Sequence, residues 1–151
     1  MTFLTETNGK LLNLCLLLLR CTMGLILFGV GSGKAFGWFD GFGLEQTLQF
    51  YVMDTGIPTP LAYLSIYTEL IGGILLVVGL FARPAALAIM VNMLVATIIA
   101  LPMGFLTVAA YPFSLAISAM IILLAGPMAY SIDSLLLRRG EAGYGARAGS
   151  R

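Results

Sequence analysis

The chain reads as an all-α membrane protein: a four-helix transmembrane bundle with a short interfacial helix in its first outer loop. Three observations predict this. Of its 151 residues 60% are hydrophobic and only 10% are charged, and a mean hydropathy of +1.00 is spread over most of the chain, whereas soluble domains carry about 25% charged residues. Four apolar runs are long enough to cross a bilayer, at about residues 11–33, 61–81, 84–102 and 111–130, the last able to continue to 137. None alternates with the period of two that a barrel strand needs, and spanning backbone must satisfy its own hydrogen bonds, so the runs are helices.

The first run, LLNLCLLLLRCTMGLILFGVGSG, contains Arg20, and a charge inside a span costs about 2.5–3.5 kcal/mol on insertion scales. Nine leucines between Leu11 and Leu27 each favour insertion by roughly 0.3–0.6 kcal/mol and offset that cost. Gly31, Ser32 and Gly33 are expected to end the helix. The run is a poor cleaved secretory signal, because Glu6 accompanies Lys10 in its flank, the apolar stretch is too long and Arg20 would break its core.

Residues 34–60 form the one sizeable expected loop, with Phe36, Trp38, Phe39, Phe42, Phe50 and Tyr51. Within it GLEQTLQFYVMD places Leu44, Leu48, Tyr51 and Val52 at helical spacing, the pattern of a short interfacial helix. The aromatic residues suit either a belt at the membrane surface or a lid over a ligand cavity formed with Lys34, Trp38 and Tyr51, and both readings stay open. Pro58 and Pro60 precede the second span. Arg83-Pro84 makes a tight connection to the third, with Pro84 suited to a first helical position, and Pro102 and Gly104 end it. The second and third spans are therefore an antiparallel hairpin.

Lys10, Arg83, Arg138, Arg139, Arg147 and Arg151 fall on one side of this topology and only Lys34 on the other. The basic side is expected to be cytoplasmic, with both termini inside and Arg83 and Asp133 at the cytoplasmic interface. Residues 1–137 make one transmembrane domain, and 138–151 a Gly-rich basic cytoplasmic tail of disordered composition. The bilayer is the expected partner. A net charge of +1 gives no reason to expect nucleic acid, and a homo-oligomer is left open.

The chain has no histidine, and its two cysteines, Cys15 and Cys21, are six residues apart on one helix and face different directions. No metal centre, haem or dithiol is expected, no Gly-rich phosphate loop occurs, and no catalytic residue stands out. What remains is a polar lining. At 100° per residue Arg20, Gly24, Leu27 and Gly31 share one stripe, and Ser65, Glu69, Gly72, Gly73 and Leu76 share another. The glycines allow close helix approach. Counting rise from the expected helix ends puts Asn92 nearly level with Arg20, and Glu69 roughly 7 Å nearer the outer side. A direct Arg20–Glu69 pair thus needs the first helix to slide, or the expected boundaries to be wrong, by a turn. Paired, the two would fix bundle registry; unpaired, Glu69 could carry protons or bind a polar ligand head.

Arg20 with Gly24, GSGKAFGW at the end of the first helix, TELIGGILLVVGLFARPAAL across the second and third, and GPMAYSID closing the fourth resemble the DoxX family of small membrane proteins over about residues 10–135. The resemblance implies a four-helix protein of the bacterial inner (plasma) membrane, sometimes a subunit of a thiosulfate:quinone oxidoreductase and elsewhere linked to redox or electrophile stress. Many such proteins carry a histidine near the end of the third helix, where this chain reads IIALPMGFLTVAAYP. The leading expectation is an accessory subunit of a quinone-linked redox system that binds a quinone or lipid-like ligand. In it Arg20 and Asn92 donate to a carbonyl, Glu69 exchanges its proton and a redox partner protein supplies electrons. The alternative is a scaffold or small-molecule permeation protein with a structural Arg20–Glu69 pair.

Overall fold

The computed structural model describes residues 9–125. Five helices follow in order: α1 (Gly9–Phe36), α2 (Gly43–Gln49), α3 (Thr59–Val78), α4 (Ala82–Ala100) and α5 (Ala110–Ala125), with no strand among the described residues. α2 runs into one π-helical turn (Phe50–Asp54). A 3-10 turn (Leu101–Met103) and a second π-helical turn (Phe105–Ala109) link α4 to α5. Among the described residues four stretches are long and apolar enough to cross a membrane: Gly9–Phe36, Thr59–Val78, Ala82–Met103 and Phe105–Ala125. The expected extension of the fourth span, Asp133 and the tail 138–151 lie outside the described residues.

The boundaries follow local chemistry. α3 ends at Gly79, whose φ of +73° needs no Cβ, and the Leu80 N–H reaches back to the Leu75 carbonyl at 3.2 Å. After the turn at 79–81, α4 begins at Ala82, two residues before the expected start. Pro84 sits in its first turn, where a missing N–H costs nothing. This is the antiparallel hairpin the sequence predicts, and Pro102 and Gly104 (φ +110°) end α4 as expected.

The first helix departs from expectation. It passes through Gly31, Ser32 and Gly33 and stops only at Gly37, φ +73°. These small residues make a packing surface instead of a stop. A Cβ on Gly31 would lie 2.6 Å from the Leu70 backbone nitrogen, and one on Gly41 would collide with Gly33, so the loop after α1 folds back onto the helix. Lys34, expected at the start of a loop, therefore lies in the last turn of α1.

α1 packs chiefly on α3, and α5 chiefly on α4, with α3 and α4 joining the two pairs. At the α1–α3 seam a Cβ on Gly24 would lie 2.7 Å from the Gly73 carbonyl, and one on Gly73 would lie 2.6 Å from the Phe28 nitrogen. Gly72 instead faces Ile89 of α4. The shared core holds Met23, Leu27, Leu76, Ala86, Ile89, Met93, Leu115, Ala119 and Ile122. Small side chains such as Ala62, Ala86, Ala116 and Ala119 are buried while Leu18, Leu25, Leu64, Ile71 and Ile98 face outward. That sorting suits hydrocarbon surroundings, where helices associate by close packing rather than by escape from water.

Candidate functional site

Lys34 and Glu69 form the centre of the site. The Lys34 ammonium donates to both carboxylate oxygens of Glu69, at 2.8 and 2.7 Å, and to the Tyr51 hydroxyl at 3.0 Å. An ammonium has three protons, so this set uses all of them. Glu69 is only 3% exposed and Lys34 25%, and Glu69 is the eleventh of the twenty residues of α3, halfway along a helix about 30 Å long. Three elements build the cluster: the last turn of α1, the π-helical turn after α2, and the middle of α3. The glycine contact between Gly31 and Leu70 sets α1 against α3 one turn from the point where Lys34 meets Glu69.

The pair lies on the wall of a cavity of about 1340 Å³ bounded by all five helices. Around the pair the wall is polar, with Gln46, Thr47, Tyr51, Ser65, Thr68, Asn92 and Tyr111. Tyr111 comes from α5 and lies within electrostatic reach of both Glu69 and Lys34. The rest of the wall is apolar and follows one face of α4, Pro84, Leu87, Ala88, Val91, Val95 and Ile99, which passes the cluster at Asn92 and has Leu61 and Leu64 of α3 beside its later half. This stripe makes a groove about 22 Å long at 1.5 Å of rise per residue. Leu61, Leu64, Leu87, Val91 and Val95 are all exposed, so the groove opens on the face that meets lipid.

The fold sends the sequence-predicted residues to different places. Ser65, Glu69 and Asn92 come together on the cavity wall, where the Asn92 amide reaches the Ser65 carbonyl at a long 3.5 Å. Gly24 and Gly73 form the α1–α3 seam, and Gly72 packs on α4. Of the expected lid residues, Lys34 and Tyr51 line the cavity, whereas Trp38 does not and instead packs against the Phe36 ring at 5.2 Å. Arg83 is exposed in the first turn of α4.

The Arg20–Glu69 pair is not formed. Arg20 is 2% exposed, but its guanidinium lies against Gly79, where a Cβ would come within 2.7 Å of Nη1. Gly79 is ten residues, about 15 Å, from Glu69 along α3. Asn92, beside Ser65, is farther still from Arg20, so the two cannot donate to one carbonyl. Glu69 does lie nearer the outer end than Arg20, but the gap is wider than expected and Asn92 is not level with Arg20, because α1 is 28 residues long and runs past the end of α3, so counting from helix starts misplaces its residues. Thr47, Gln46 and Tyr111 escaped the sequence reading. For Thr47 a signal exists, since it falls among Leu44, Leu48 and Tyr51 on the inward face of α2.

The helices define a multi-pass membrane protein, with this polar cluster on the wall of a groove that opens on its outer surface. The DoxX family model matches residues 15–102, more than half of the chain and all of α3 and α4, and the protein belongs to the DoxX family. Comparison with curated proteins and with solved structures finds no match.

Proposed function

We propose that the protein is an accessory membrane subunit that binds a quinone or a similarly built isoprenoid lipid. The polar head sits beside Lys34, Glu69 and Tyr51, and the tail runs along the α3–α4 groove. The observation that carries this reading is that a buried ion pair and a long apolar groove share one cavity of about 1340 Å³, larger than the roughly 300–1,000 Å³ typical of compact ligands. Tyr51 accepts from Lys34, which leaves its own proton to donate to a head carbonyl, and Glu69 is the group placed to exchange a proton. The sequence offers no redox centre, so in this reading a partner protein delivers electrons.

In the same reading the protein lies in a bacterial inner membrane with the 79–81 turn on the cytoplasmic side. Lys10 and Arg83 support this orientation, because both lie towards that end of the bundle while Lys34 at the other end is engaged by Glu69. A scaffold held by an Arg20–Glu69 pair has no geometric support, since Glu69 is bound to Lys34.

The test is a titration of the protein in lipid nanodiscs with a short-tailed quinone, read as thermal stability. At a ligand level 100-fold above Kd, stabilisation of about 2.7 kcal/mol is expected. Ala88→Trp, which fills the groove from α4, should abolish the shift without unfolding the protein. A quinone-independent melting curve for the wild type, or an Ala88→Trp protein that responds like it, overturns the assignment.

A further inference from the structure

Resting on that reading, we propose that the Lys34–Glu69 pair is a charge filter that admits only amphiphiles with a neutral polar head, and that Thr47 supplies the hydrogen bond recognising the head. The filter follows from the mutual neutralisation of the pair's two charges. Both carboxylate oxygens of Glu69 and all three ammonium protons of Lys34 are already engaged. An anionic head would have to displace Glu69 from Lys34 and leave two negative groups side by side in a wall whose other polar residues are neutral and whose one lining cation among the described residues is Lys34, while a cationic head would confront Lys34 in the same way. A neutral head disturbs neither.

Thr47 is the second observation, independent of the pair. It is 5% exposed and belongs to the cavity wall, and its Oγ1 is buried without a hydrogen-bond partner among the described residues. Hydroxyls on helices commonly bond a carbonyl four residues back. Thr55, Thr97, Thr107 and Ser118 all do so here, and Thr47 does not. A buried hydroxyl is left unpaired only at a cost, and a donor or acceptor on a bound head removes that cost. Thr47 also lies four residues before Tyr51, so the two hydroxyl-bearing side chains stand on one face of the α2 segment. A neutral head with two hydrogen-bonding groups could engage both.

The experiment offers the nanodisc-embedded protein three probes that share one tail, monooleoylglycerol (neutral), oleyl phosphate (anionic) and oleylamine (cationic), with occupancy read by native mass spectrometry. Wild type should favour the neutral probe by about tenfold or more over either charged one. Glu69→Gln should reverse the order towards oleyl phosphate and Lys34→Met towards oleylamine. Thr47→Val should weaken the neutral probe about fivefold, the loss of one hydrogen bond, and Thr47→Ser should restore it. If one charge variant does not fold, the other still reports. Charged probes that bind wild type as well as the neutral one, or an order unchanged in the folded charge variants, overturn the filter. An unaffected Thr47→Val overturns the threonine contact. Wild type that binds none of the three removes the amphiphile site itself, a different result from failure of selectivity.

Discussion

Replacing Gly73 by alanine tests the helix seam that sets the register of the whole site. The added Cβ would stand 2.6 Å from the Phe28 nitrogen and 2.7 Å from the Gly24 carbonyl. Both are backbone atoms that cannot rotate away, and ordinary contact needs about 3.5–4.0 Å. The two helices must therefore part by about 1 Å, loosening every contact along α1 and α3. Overpacking of this kind typically costs about 1–3 kcal/mol, against a gain in helix propensity of at most about 1 kcal/mol. Gly29→Ala is the control, because a Cβ there meets nothing within 4 Å and only the propensity gain remains. Reversible unfolding in mixed micelles should order the proteins Gly29→Ala, wild type, Gly73→Ala from most to least stable. A Gly73→Ala protein as stable as Gly29→Ala would refute the claim that the seam is closed by direct backbone contact.

Other predictions concern the turn, the pair and the orientation. Gly79→Ala combines a left-handed conformation at φ +73° with a Cβ 2.7 Å from Arg20 Nη1; a loss of at least about 1–2 kcal/mol is expected in the same unfolding assay. Lys34→Met alone leaves the Glu69 carboxylate buried and unmatched, and Glu69→Gln alone strands the ammonium, so each single change should destabilise by roughly 3–5 kcal/mol while the double variant recovers most of the loss. A double-mutant cycle that adds without coupling would remove the ion pair as a unit. For orientation, cysteine introduced at Phe39 should react with an impermeant maleimide in intact cells, and cysteine at Arg83 only after permeabilisation, in a background with Cys15 and Cys21 replaced.

Hydropathy made the spans legible because crossing a bilayer demands about 20 apolar residues whatever the partners, and proline and glycine marked the 79–81 turn and the end of α4. Glycine proved ambiguous where two meanings compete. Gly31 and Gly33 look like a stop, yet tertiary contact with Leu70 and Gly41 turns them into a packing surface. The stripes of Arg20 and of Glu69 were visible from helical periodicity, and their residues are largely buried. Their partners were not visible, since pairing depends on how far one helix slides past another. A three-residue error in the end of α1 moved Lys34 from a loop into contact with Glu69. Thr47 and Tyr111 were passed over for a related reason: helical spacing placed Thr47 on the inward face of α2 and Tyr111 at the start of a span, but the cavity they complete exists only once five helices meet.

The inverted sorting of side-chain size, alanine and glycine within and leucine and isoleucine without, has a practical corollary. The outward-facing shell contributes to residence in lipid and little to which helix touches which. Exchanging that shell for glutamate, lysine and glutamine should yield a chain soluble in buffer with its interior contacts unaltered. The reverse operation, enlarging the alanines between α4 and α5, should leave membrane insertion intact and scramble the architecture.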